Sequence, residues 1–236
     1  MPSSRTTPPP SPSRLRTAVP WIAVLATAAS LALLALVAAR WSPLKSLDRE
    51  VADALHRDAV TDPGLVQVNR VLTDWVWDPW TMRLLIAVAV VALWWHGARL
   101  LALWLAATSL LGTLLQQALK AAVGRERPQW PDPVDSANFA AFPSGHAMTT
   151  VVSCGLLVWL LRLYGAPAGA TGAALAVAVV SAVGVAATRV YLGVHWLSDV
   201  VGGALFGVAV VALSAAGYAR VMARRPAAGP DRSPRP

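Results

Sequence analysis

The stretch TRVYLGVHWLSD, residues 188–199, sets Arg189, His195 and Asp199 between two apolar runs. Ionisable groups beside membrane-length apolar segments are costly in lipid, and where they occur they mark functional sites. If the chain is helical from His195, Asp199 lies one turn further along the same face. Its carboxylate then accepts a hydrogen bond from one imidazole nitrogen and leaves the other free to attack an electrophile.

The runs on either side decide the fold class. The chain has 236 residues, 56% hydrophobic and 14% charged, which is the balance of a membrane protein rather than a soluble domain. Residues 18–39 and 100–119 carry no charge, and further apolar runs cover 79–95, 145–161, 168–188 and 197–219. Runs of this kind, about 20 residues at about 1.5 Å each, cross about 30 Å of hydrocarbon. The expected fold is therefore all-α, a polytopic bundle of six transmembrane helices. Arg83 interrupts the second run near one end, where its head group can snorkel to the interface. The first run, flanked by Trp21 and Trp41, is longer than the apolar core of a signal peptide and reads as an uncleaved anchor.

Between the first two spans, Leu47, Val51 and Leu55, then Leu65, Val68 and Leu72, recur at helical spacing among acids and bases. They predict a pair of interfacial helices. Trp75, Trp77 and Trp80 form an aromatic belt at the next boundary. His96 reads as a solvated turn residue, Gln116 and Gln117 as facing protein, and Cys154 as a packing residue. Residues 1–17 and 220–236 are rich in Pro, Arg, Ser and Ala and are expected to be disordered, leaving 18–219 as the membrane domain.

The net charge of +8 does not mean nucleic acid, because the bases are scattered between spans or gathered in the tails, with no basic face interleaved with aromatics. Six spans place both tails on one side. That side holds ten arginines and one acid, whereas the other holds ten bases and eleven acids. Positive residues favour the cytoplasm, so both termini are expected there and the loops after spans one, three and five outside.

The chemistry collects in the last two of those outer loops. KAAVGRERP, residues 120–128, and PSGH, residues 143–146, bound one of them, and residues 188–199 form the other. Lys120, Arg127, Arg189, His146, His195 and Asp199 thus meet at one membrane face, and three cations together call for an anion. Lys120 and Arg127 would share a helix face at a spacing of seven, although Gly124 and the position before Pro128 work against a continuous helix. Ser144 reads as an N-cap whose helix presents the amides of Gly145 and His146 outward, an arrangement suited to phosphate. Arg125 and Glu126 read as a solvated pair, and Trp130, Tyr191 and Trp196 as packing or interface residues. Glu126, Asp132 and Asp135 lack the spacing of a magnesium site.

Taken together, Lys120 with Arg127 and Pro128, then Pro143 to His146, then Arg189 with His195 and Asp199, resemble the three signature blocks of the type 2 phosphatidic acid phosphatase (PAP2) or lipid phosphate phosphatase family, which shares its site with vanadium haloperoxidases. The resemblance covers residues 100–219, with one departure: Thr188 stands where the third block usually has Ser. A hydroxyl is retained, so a small effect on phosphate contact is expected.

The resemblance implies a metal-independent, cofactor-free phosphatase, and the charge balance of the loops sets it in the cell membrane with its site on the extracytoplasmic face. His195 would take the phosphoryl group as phosphohistidine, Asp199 would fix its tautomer, and His146 would serve as general acid and then base. Lys120, Arg127, Ser144, Gly145 and Arg189 would hold the phosphate oxygens. A site at the ends of spans three to six suits an amphiphile with its phosphate at headgroup level: a lipid phosphate of the phosphatidic acid kind, phosphatidylglycerol phosphate, or alternatively an isoprenoid (undecaprenyl) diphosphate. A transporter would place ionisable groups near span centres, where these spans have almost none, and a silent scaffold need not keep both histidines and Asp199.

Overall fold

The computed structural model describes residues 19–224, and the expectation of disordered tails lies largely outside them. Eight α-helices and one π-helical turn make up the regular structure of the described residues. Helix α1 spans Val19–Ala38, α2 Ser42–Thr61 and α3 Pro63–Val71, which runs through a π-helical turn, Leu72–Val76, towards α4, Pro79–Trp95. Then follow α5 Arg99–Val123, α6 Gly145–Leu163, α7 Ala168–Tyr191 and α8 Leu197–Ala223. Six helical stretches are long and apolar enough to cross a membrane, and the chain is a multi-pass membrane protein. Helix α8 continues to Ala223, so residues 220–223, predicted to begin the tail, are helical.

Local chemistry sets the helix boundaries. Asp62 caps α3 by accepting the Leu65 amide at 2.8 Å, and Asp78 caps α4 by accepting those of Trp80 and Thr81 at 2.6 and 3.3 Å. Both helices open with proline, whose missing N–H costs nothing in a first turn. Helix α5 stops where Gly124 turns left-handed at φ 57°, a conformation that side chains with a Cβ resist.

Helix α8 packs against α1 and α6, and α6 also contacts α4, α5 and α7. The largest cluster of buried apolar residues gathers Leu105, Phe142, Met148, Leu156, Trp159 and Phe206 among others. A polar link crosses the same region: Ser214 of α8 accepts the Trp104 indole N–H at 2.8 Å and shares a hydrogen bond with Thr108 at 2.6 Å. Helix α7 leaves most of its surface outward, with Val177, Val179, Val180 and Val183 exposed, as lipid-facing valines should be.

The interfacial pair exists, and the face that α2 turns inward is mixed. Val51 and Leu55 pack against buried apolar clusters, and beside them Asp48, Ala52, His56 and Ala59 are buried, whereas Leu47 of α2 and Leu65 and Val68 of α3 are exposed. Two polar side chains of α2, Asp48 and His56, therefore meet protein along with its apolar residues. Of the two glutamines, Gln116 is buried and Gln117 is exposed.

Candidate functional site

The site is assembled from helix ends. Lys120 lies in the last turn of α5 and Arg189 in the last turn of α7, while Asp199 occupies the first turn of α8. Ser144 immediately precedes α6, and Gly145 and His146 begin it. Two contacts join these ends. The Ser144 amide donates to the Asp199 carbonyl at 2.9 Å, and the Ala141 amide donates to the Arg125 carbonyl at 2.8 Å.

His195 lies just outside α8 and not within it, because the helix begins only at Leu197. The expected pairing nevertheless forms: His195 Nδ1 is 3.4 Å from Asp199 Oδ2, which also accepts the Trp196 amide at 2.9 Å. The turn before His195 is set by Gly193 at φ 69°, where an added Cβ would stand 2.5 Å from Trp130 Nε1. That indole nitrogen donates to the Gly193 carbonyl at 2.9 Å, so Trp130 is a packing residue as expected. It also stacks on His56, with ring centroids 3.9 Å apart.

Arg127 and Lys120 do not share a helix face, since α5 ends between them at Gly124. Both are nevertheless brought to the site by the loop from 124 to 144. Arg127 donates to the carbonyls of Phe139, Asn138 and Val194 at 2.9, 2.9 and 2.5 Å, and its Nη1 lies 3.1 Å from His195 Nε2. Lys120 Nζ donates to the Ala140 carbonyl. Arg189 is buried, with Nη1 3.4 Å from Thr73 Oγ1 and its Nε without a protein partner.

His146 is half-buried, and the groups that act on it electrostatically are Arg189, His195, Arg127 and Lys120. Ser144 occupies the N-cap position, but its side chain makes no capping hydrogen bond, and its buried Oγ has no partner. The expected cap is therefore positional only. Gly145 lies against the Gln116 side chain, where an added Cβ would stand 2.9 Å from Nε2. Thr188 turns its hydroxyl to the Val185 carbonyl of its own helix at 2.9 Å.

The surroundings dictate the state of His195. Burial, then the cations of Arg127, Arg189 and Lys120, hold its imidazole well below the usual range, against the opposing pull of a backbone hydrogen bond with Ala141. A neutral ring with its proton on Nδ1 donates to Asp199 and accepts from Arg127 at Nε2. That tautomer leaves Nε2 unprotonated, with its lone pair turned to the Arg127 guanidinium.

The reading of Arg125 as a solvated residue does not hold. Its Nη1 donates to Asp199 Oδ1 at 2.6 Å and to Ser198 Oγ at 2.7 Å, and its Nη2 donates to Asp48 Oδ2 at 2.6 Å. Glu126 is exposed. Asp48 and Ser198 were missed altogether. The available signal was the Asp48, Ala52, His56, Ala59 stripe of α2, in which small residues at helical spacing mark a close approach.

A profile described as the PAP2 superfamily matches residues 101–223, more than half of the chain. Among solved structures, a transmembrane PAP2-type phosphatidylglycerolphosphate phosphatase from Bacillus subtilis is similar at a TM-score of 0.74 and 23% sequence identity. The alignment covers 86% of this chain and 98% of that one, a likeness of fold. No curated protein sequence matches this chain.

Proposed function

Because the chain belongs to the PAP2 superfamily and is a membrane-embedded phosphatase, we propose that it hydrolyses a lipid phosphate through a covalent intermediate on His195. The observation that carries this reading is the placement of the His195 ring between Asp199 at Nδ1 and Arg127 at Nε2, with His146, Lys120 and Arg189 around it. Nε2 attacks phosphorus in line, an N–P bond forms, and the bond from phosphorus to the leaving oxygen breaks. His146 protonates that oxygen, then takes a proton from water as the water attacks phosphorus. The N–P bond breaks, and inorganic phosphate leaves.

Lys120, Arg127 and Arg189 offset the charge on the non-bridging oxygens, and the Ser144 hydroxyl and Gly145 amide donate to them. The unpartnered Ser144 Oγ and Arg189 Nε support this assignment, because a buried polar atom without a protein partner is satisfied by a ligand or by solvent. The position of these residues at helix ends supports a phosphate held at headgroup level, with the substrate's tail in lipid. Phosphatidic acid, phosphatidylglycerol phosphate and isoprenoid diphosphates share that shape. The charge asymmetry of the loops and tails supports a site on the extracytoplasmic side, with both termini in the cytoplasm.

Purified protein supplied with these lipid phosphates in chelator tests the reading. Phosphate release by the wild type and its loss in His195→Ala is the expected result, with an acid-labile, alkali-stable label on the wild-type chain. Equal release by both proteins overturns it.

A further inference from the structure

Arg125 and Asp48 are buried more deeply, and bonded more fully, than an anchoring pair at a membrane boundary needs to be. Asp48 is 2% exposed and accepts three hydrogen bonds, all from two residues. Its Oδ1 takes the Ser198 amide at 2.8 Å, and its Oδ2 takes the Ser198 hydroxyl and Arg125 Nη2, each at 2.6 Å. The other arm of Arg125 holds Asp199 Oδ1, opposite the oxygen that faces His195. Its guanidinium also lies over the Trp196 ring, 5.8 Å from the centroid. One guanidinium therefore spans two buried carboxylates, and α2 is tied directly to the first turn of α8. Asp48 lies outside residues 101–223, where the family profile matches.

We propose that Asp48 and Arg125 are positioning residues for the histidine nucleophile: Asp48 anchors Arg125, and Arg125 fixes the Asp199 carboxylate with one oxygen aimed at His195. This rests on His195 being the nucleophile. Two carboxylates on one guanidinium leave one net negative charge beside the ring, which offsets the positive charge that the ring acquires as the N–P bond forms. Without the Asp48 charge, Arg125 has only Asp199 to pair with. A guanidinium prefers to bind one carboxylate through both oxygens, so it would draw Oδ2 away from His195. The phosphate ligands are not part of this chain of contacts, and substrate binding should be spared.

The test compares Asp48→Asn, Arg125→Lys, Asp199→Asn and the Asp48→Asn/Asp199→Asn double variant for kcat and KM on one lipid phosphate, after gel filtration and thermal melting confirm folded protein. Asparagine has one acceptor oxygen and no charge, so it cannot accept the Ser198 amide on one side and both Arg125 and the Ser198 hydroxyl on the other, and a lysine cannot span both carboxylates. For either folded single variant, kcat should fall about ten- to a hundredfold, by analogy with losing a residue that orients a metal-ligating histidine, with KM nearly unchanged. In the Asp199→Asn background the Asp48 change should cost little further, because it acts through Asp199. A wild-type kcat in either folded variant, parallel changes in kcat and KM, or additive losses in the double variant overturn the proposal. So does failure of both single variants to fold, since the pair would then be structural. If His195→Ala remains active, the reading of His195 itself fails, which is a separate result from a silent Asp48→Asn beside an inactive His195→Ala.

Discussion

Replacing Gly203 by alanine should disable the protein without replacing any residue of the proposed chemistry. Gly203 lies on the face of α8 that meets the start of α6. A Cβ there would stand 2.6 Å from the Ser144 carbonyl oxygen, 3.1 Å from the Met148 amide nitrogen and 3.2 Å from the Ala147 Cβ. The nearest atom is backbone, and it accepts the Met148 amide at 3.0 Å, a bond that α6 needs at its first turn. Neither partner can swing aside as a side chain would. Restoring ordinary contact requires α8 and the Ser144 turn to separate by about 0.8 Å, measured from the close contact toward normal packing distance. That displacement acts between Ser144, assigned to the phosphate, and Asp199, one helical turn from Gly203 and bonded to His195. A misplacement of about 1 Å at a reacting centre costs on the order of a hundredfold in rate, and overpacking costs about 1–3 kcal/mol of stability. The assay is phosphate release from a lipid phosphate in detergent, paired with thermal unfolding. Gly172→Ala on α7 serves as control: a Cβ there meets nothing within 4 Å, so activity should be unchanged and stability equal or higher. Wild-type kcat and melting temperature in Gly203→Ala would refute the reasoning, because two backbones that close cannot admit a methyl group unnoticed.

Three further outcomes are expected. The depressed proton affinity of His195 means that the unfolded chain takes up a proton below about pH 6.5 that the folded chain refuses. Its contribution to stability is therefore present above that pH and is lost as the pH falls, at up to about 1.4 kcal/mol per unit, so His195→Gln should flatten the acid limb of a melting-temperature profile between pH 7 and 5. Ser214→Ala strands the Trp104 indole N–H and removes the Thr108 contact. It should cost about 1 kcal/mol in a detergent unfolding assay, in line with interhelical hydrogen bonds in membranes, and leave kcat unchanged. Ser136→Cys, at an exposed loop position in a chain whose native thiol, Cys154, sits inside α6, should react with an impermeant maleimide in intact cells. Protection there would reverse the proposed orientation.

Much of the membrane fold was legible because lipid imposes one rule on every span, that apolar side chains must cover about 30 Å, and the runs of this sequence obey it with little ambiguity. The clustering of the three cations and two histidines was legible for a related reason. Groups that cannot lie in hydrocarbon must gather at its borders, and counting spans says which border. What could not be read was pairing across the fold. Arg125 sits between signature residues at a position with no distinctive neighbour, and only the return of α2 beneath the loop supplies Asp48. Amphipathicity was half a guide at α2: Val51 and Leu55 pack inward at the predicted spacing, but Asp48 and His56 are buried beside them, because on that side the helix meets protein and not water. The reach of Lys120 and Arg127 depended on a turn at Gly124 that spacing alone could not resolve.

The charges of the site follow the helix ends that carry them. A helix presents partial negative charge at its C-terminus and partial positive charge at its N-terminus. Lys120 and Arg189 occupy the last turns of α5 and α7, and Asp199 the first turn of α8, so three of the four helix ends that meet here already hold a side chain of the favourable sign. The fourth, the N-terminus of α6, has no acid in its first turn and no side-chain cap from Ser144. Its unpaired amides are left beside cations, with His146 in that same first turn. A protein whose only requirement was stability would gain from an aspartate at that position, typically by about 1 kcal/mol. Serine there, with its hydroxyl buried and unpartnered, suits the proposed reading in which the substrate phosphate supplies the negative charge. That is why we place the phosphate at the start of α6, within reach of His195, and not against the more exposed bases of the interfacial helices.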